Sequence, residues 1–138
     1  MSRLVIPLGG SGVERLEALQ ERLGLRSSAV VSTALRVCRM AHGCGGSPPI
    51  YQRDVSGEFV RLYLRRCRPL DIDQDDVQLV GLALPRRELV KFRRCTKIAG
   101  DSQLGIETAL WVLERLSSPQ APRLFEKRGS EYYPLFLK

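Results

Sequence analysis

"RLVIPLGGSGVERLEALQERLGL", residues 3–25, returns in pattern 76 positions later as "LVGLALPRRELVKFRRCTKIAG", residues 79–100. With Leu8 set on Leu84, Leu4 falls on Val80, Ile6 on Leu82, Val13 on Leu89, Leu16 on Phe92 and Gly24 on Gly100. Removing one residue from the next turn sets "STALRV" (32–37) on "ETALWV" (107–112), so the halves agree in pattern over about 38 residues. A repeat constrains every assignment made inside it and is therefore read first.

Each copy opens on a strand. Leu4, Ile6 and Leu8 alternate with Arg3, Val5 and Pro7, which sends the two sets to opposite faces. A helix follows: Ser11 and Glu14 have the spacing of a capping box, Val13, Leu16, Leu19 and Leu23 recur at helical spacing, and Gly24 ends the run. In the second copy Pro85 opens the helix, where its missing N–H is harmless. A second helix begins near Ser27, or Ser102 in copy two. Its apolar face comprises Val30, Val31, Ala34, Leu35 and Cys38, matched by Ile106, Ala109, Leu110 and Leu113. It stops at the glycines around 43–46 and at Ser117-Ser118-Pro119.

Beyond the helices, "PPIYQRDVSGEFVRLYLR" (48–65) resembles "APRLFEKRGSEYYPLFLK" (121–138), two short apolar runs around a Gly-containing turn, which is the signature of a β-hairpin. A lone strand followed by two amphipathic helices leaves its own N–H and C=O groups unpaired and requires a second strand. Residues 3–8 are therefore expected to pair antiparallel with residues 79–84 above four interlocked helices. The resulting α+β chain divides into a first repeat (1–46), a hairpin (47–70), an acidic linker (71–78), a second repeat (79–118) and a second hairpin (119–138).

A chain of 138 residues with 43% apolar content has enough material for one core. Its net charge of +7 directs attention to polyanionic partners. The stretch "DIDQDD" (71–76) is acidic and separates two basic halves. Basic side chains concentrate at Arg86, Arg87, Lys91, Arg93, Arg94 and Lys97, on the solvent side of a stripe formed by Leu89, Phe92 and Ile98, and again at Arg61, Arg65, Arg66 and Arg68. The first group reads either as a solvated helix face or as a surface for phosphates or an acidic protein. In the second, Arg61, Tyr63 and Arg65 would share one strand face, suited to a nucleic-acid backbone.

The order of strand, helix and "GLRSSAVVSTAL" turn (24–35) into a second helix resembles the ribbon-helix-helix (MetJ/Arc) family of DNA-binding proteins. Residues 3–40 are similar to its small plasmid copy-control repressors, with the Gly24-Leu25 and Ser28-Ala29 pairs as the most specific part. The resemblance implies two ribbon-helix-helix repeats forming a pseudo-dimer within one chain, a ribbon that enters the major groove of duplex DNA, and a transcriptional regulator. It implies phosphate anchors at the turn before each second helix: Arg26, Ser27 and Ser28, then Asp101, Ser102 and Gln103. Ser27 and Ser102 read equally as plain N-caps, and Asp101 repels a phosphate. The implied base readers are Arg3, Val5 and Pro7 with Leu79, Gly81 and Ala83. Only Arg3 carries donors for a base edge, whereas Val5, Leu79 and Ala83 offer at most contact with thymine methyls. An apolar outer face also suits a ribbon covered by the aromatic hairpins. It suits equally a protein-interaction adaptor that has lost base readout and meets an acidic partner.

Other chemistry finds little footing. His42 is the one histidine, and no serine or cysteine stands in a recognisable triad context, so no enzyme is expected. Gly9, Gly10 and Gly12 lack the lysine of a phosphate-binding loop, and the aspartates at 71, 73, 75 and 76 lack the glycine and terminal glutamate of a calcium loop. Cys38, His42 and Cys44 match no standard zinc spacing, and Cys38 and Cys95 read as small core residues rather than parts of a secreted disulfide framework. No cofactor or metal is expected. The absence of a long uncharged apolar run and of a signal-peptide pattern gives the expectation of a cytoplasmic protein with no membrane partner, and exposed hairpin edges leave room for self-association.

Overall fold

The computed structural model describes residues 4–43, 48–62, 76–96 and 102–135. Its elements follow in the order β1 (Leu4–Leu8), α1 (Gly10–Leu23), α2 (Ser27–Ala41), β2 (Ile50–Arg53), β3 (Phe59–Leu62), β4 (Gln78–Leu82), α3 (Arg86–Thr96), α4 (Ser102–Leu116), β5 (Leu124–Arg128) and β6 (Glu131–Pro134). The fold is α+β, with four helices and two small antiparallel sheets.

The first sheet is a two-stranded ribbon. β1 and β4 pair antiparallel, with Leu4 opposite Leu82, Val5 opposite Gly81 and Ile6 opposite Val80. The period-two alternation decides which side faces the helices: Ile6, Leu8, Leu82 and Leu84 are buried, whereas Val5, Leu79, Gly81 and Ala83 are exposed. Beneath the ribbon the most extensive helix contact joins α2 to α4, and α1 and α3 each pack against both of them. The apolar positions expected on α2 and α4 are all buried, and with Leu16, Leu19, Leu89 and Phe92 they belong to one continuous core.

Helix ends depart from expectation in a specific way. Gly24 closes α1 in the left-handed region at φ 65°, as its lack of a Cβ permits. The capping box at Ser11 and Glu14 does not form. Gly9 is the N-cap and Ser11 already lies inside the helix, because the flexible Gly-Gly pair lets the helical turn begin earlier. Likewise Arg26, not Ser27, caps α2, and it does so without a side-chain capping hydrogen bond. His42 ends α2 by hydrogen-bonding the Cys38 carbonyl through Nδ1 at 2.8 Å, a structural use of the only histidine. Cys38 is a buried thiol, whereas Cys95 is disulfide-bonded, contrary to the reading of it as a plain core thiol. Cys44 lies outside the described residues, among which no cluster of metal-ligating side chains occurs.

The two hairpins do not extend or cover the ribbon. They form a separate four-stranded sheet in the order β3-β2-β5-β6, joined through Tyr51 opposite Phe125. One face sends Ile50 and Leu124 into the core. The other gathers Tyr51, Phe59, Phe125 and Tyr132: the Phe59 and Tyr132 rings stack at 3.8 Å, and the Arg53 guanidinium lies 4.8 Å from the Phe59 centroid. These aromatics therefore pack on one another rather than on the ribbon.

The β2–β3 turn is held by Asp54. Its Oδ1 accepts from the Ser56 hydroxyl at 2.6 Å and from the backbone N–H groups of Ser56 and Glu58 at 2.9 Å each, and Gly57 supplies the φ of 88°. The Ser56 hydroxyl bond is the largest influence; desolvation opposes it, and the backbone donors of Glu58, Ser56 and Gly57 add to it, so the carboxyl is held below its ordinary value of 3.8. A depressed folded-state pKa gives stability that is present above the unfolded value and is lost as pH falls through the folded one. The amide resonances of Ser56 and Glu58 are thus expected to move together with a midpoint below 3.8, and an Asp54→Ala variant is expected to lose that transition.

Candidate nucleic-acid interface

The outward side of the ribbon carries the residues expected to meet a ligand. Val5 is 62% exposed and Leu79 74%, Gly81 and Ala83 are open to solvent, and Pro7 is half-buried. All five offer carbon surface and no side-chain donor or acceptor. Arg3, the expected base reader, lies outside the described residues, as does Asp101. Ser102 opens α4.

At the other expected anchor, Arg26 is exposed and stands at the N-cap of α2, where it makes no side-chain capping hydrogen bond. The free N–H groups and the positive dipole end favour an anion at this point. Ser27 and Ser28 are half-buried. The Ser28 hydroxyl accepts the Ala83 backbone N–H at 2.8 Å, so it fastens α2 to the end of β4 and is already engaged. Gln103, the last of the expected anchors, is 5% exposed, its Nε2 donates to Glu107 Oε2 at 2.8 Å, and it lines a hollow beside β1.

Sequence reasoning treated the basic face of α3 separately from the ribbon, and the fold brings them together. Leu4, Val5, Ile6 and Pro7 of β1 share a hollow of about 480 Å³ with Arg86, Val90 and Arg93 of α3. Val90 is 48% exposed, and Arg86 and Arg87 are exposed, so the apolar ribbon has a cationic flank. The signal that reveals this is tertiary: α3 follows β4 in the chain but lies beside β1. The first helix, α1, presents Glu14, Glu17 and Glu21 to solvent, so α1 and α3 differ in exposed charge.

No protein-family model, curated protein or solved structure matches this chain at a significant level, and its function is read from the residues themselves. No helix among the described residues is long and apolar enough to cross a membrane.

Proposed function

We propose that the chain is a duplex-DNA-binding protein of the ribbon-helix-helix type, a small transcriptional regulator in which one polypeptide supplies both halves of a two-fold assembly. The observation that carries the reading is the exposed antiparallel ribbon of β1 and β4 with arginines beside it. The repeat supports it further. Under the sequence alignment the pair Leu4–Leu82 turns into Ile6–Val80 and the pair Val5–Gly81 turns into itself, so an axis relating the halves falls next to the middle of the paired strands.

A two-stranded ribbon has the width of the major groove. Arg26 with the α2 N-terminus, and Arg86 with Arg87 on α3, would then neutralise phosphates. Val5, Leu79 and Ala83 contribute methyl contacts of low discrimination, which makes phosphate contact the main source of affinity. Binding to a short duplex is accordingly expected to fall linearly as log affinity against log salt, with Arg26→Ala and Arg86→Ala each lowering the slope by about 1. Val5→Glu combined with Leu79→Glu is expected to weaken binding at least ~10-fold while leaving thermal stability unchanged, because both side chains are exposed. Fluorescence anisotropy across a salt series measures all of these. Unchanged slopes in both arginine variants would reject this placement of the site.

A second reading rests on the same exposed Val5 and Leu79: an apolar centre with a cationic rim suits an acidic protein partner. Absence of duplex binding at low salt transfers the ribbon to that role.

A further inference from the structure

A second concave site lies away from the ribbon, where the C-terminal end of α1, the middle of α2, the end of α4 and the loop leading into β5 meet. We propose that this cavity binds a small amphipathic organic anion, an apolar body ending in a carboxylate or phosphate.

The cavity measures about 500 Å³, within the range of roughly 300–1,000 Å³ typical of small-molecule sites. Leu23, Leu25, Leu116, Leu124 and Leu135 form most of its apolar wall. Leu25 is 39% exposed, so part of that wall meets water when nothing is bound. Burying such surface favours a ligand with a hydrocarbon body.

Charge sets the other half of the ligand. Arg22, Arg36 and Arg123 line the cavity, and no aspartate or glutamate does so among the described residues. Three arginines elsewhere are compensated by carboxylates: Arg15 pairs with Glu114 at 3.3 Å, Arg39 with Glu88 at 3.4 Å, and Arg128 with Glu126. Arg22 instead donates through Nη1 to two neutral acceptors, the Glu114 carbonyl at 3.0 Å and the Ser117 hydroxyl at 3.1 Å. Those bonds fix the guanidinium without neutralising it. Among the described residues neither Arg36 nor Arg123 forms an ion pair with a carboxylate. Three cations around one apolar hollow repel an amphipathic amine and attract an oxyanion that a guanidinium fork can grip. A bare inorganic anion would leave the leucine wall in water. The combination therefore selects a molecule with both parts.

This site stands independently of the nucleic-acid reading, and its test involves no DNA. The full chain is titrated by calorimetry with decanoate, decyl phosphate, decylamine and inorganic phosphate, with thermal unfolding followed in parallel. Decanoate or decyl phosphate is expected to bind saturably at one site and to raise the melting temperature, the tighter of the two identifying the preferred head group. Decylamine and inorganic phosphate are expected to do neither at the same concentrations. Arg36→Glu with Arg123→Glu, both at exposed positions, is expected to weaken the anionic ligand at least ~10-fold, whereas Arg94→Glu on α3 leaves it unchanged. The neutral pair Arg36→Gln and Arg123→Gln, read the same way, covers a failure of the doubly acidic variant to fold. Equal binding of decylamine, equal binding of phosphate alone, no loss in either arginine pair, or no saturable binding of an anionic probe would each overturn the proposal.

Discussion

Replacing Phe92 with alanine is expected to lower the free energy of unfolding by about 3–5 kcal/mol, the usual cost of removing a fully buried aromatic ring. Against a total stability of about 5–15 kcal/mol, that is a large share. The site has little means of recovery. Leu89 and Phe92 are the buried side chains of α3, whose remaining surface carries Arg86, Arg87, Lys91, Arg93 and Arg94, so these two apolar anchors work against the helix's own charge repulsion. Across the contact stands Gly105, where a Cβ would lie 3.4 Å from the Phe92 ring, and a glycine has no side chain to move into the void. Urea unfolding followed by circular dichroism should show the midpoint falling by about 2 M, given typical slopes of about 1–3 kcal/mol per M. Phe92→Leu should cost less than half as much, because it keeps most of the apolar volume. Phe92→Ala within 1 kcal/mol of the unsubstituted protein would show that α3 is not anchored through this ring.

Phe92 also illustrates what could be read from the chain before any coordinates. It falls on Leu16 in the repeat, and both are buried at corresponding places in α3 and α1. The ribbon was equally legible. Alternation in "LVIPL" and "VGLAL" separates inner from outer faces, and a strand of five residues with unpaired edges demands a partner, which the segment of matching pattern can provide. Period and unsatisfied hydrogen bonds are local facts, so sequence carries them.

Contacts between distant elements were not legible, for a physical reason. Each hairpin announces itself through its turn, Asp54 to Gly57 in one and Gly129-Ser130 in the other. Nothing local says that β2 then pairs with β5 instead of extending the ribbon, since any exposed strand edge satisfies the same backbone groups. Cap positions failed for the opposite reason. Ser11 and Glu14 have the right spacing, but spacing cannot weigh a capping serine against two glycines that let the chain turn sooner. Among the candidate site residues, the exposure of the apolar side chains on the ribbon was legible from alternation. The low exposure of Gln103 depends on how α4 packs, and the convergence of Arg22, Arg36 and Arg123 on one cavity joins three separate segments, so neither was legible.

The same long-range logic produces a second large effect at Gly12. This glycine lies in the first turn of α1 and is buried, and a Cβ built on it would overlap the carboxylate of Glu107 from α4. Glu107 is only 2% exposed and receives the Gln103 amide at 2.8 Å, so it cannot swing into solvent without giving up that bond. Its position also explains how a buried carboxylate is tolerated: the positive end of the α1 dipole stands beside it. Gly12→Val is therefore expected to destabilise by about 3 kcal/mol, at the upper end of overpacking costs, even though valine is the better helix former. Glu107→Ala should relieve the overlap. In a double-mutant cycle the pair should show a coupling of at least ~1.5 kcal/mol, with the double variant more stable than the sum of the single losses predicts. As a control, Ala18→Val on the exposed side of the same helix should stay within about 0.5 kcal/mol of the unsubstituted protein. Strict additivity would mean that the two helices do not meet through this glycine, and that the carboxylate lies elsewhere in the folded chain.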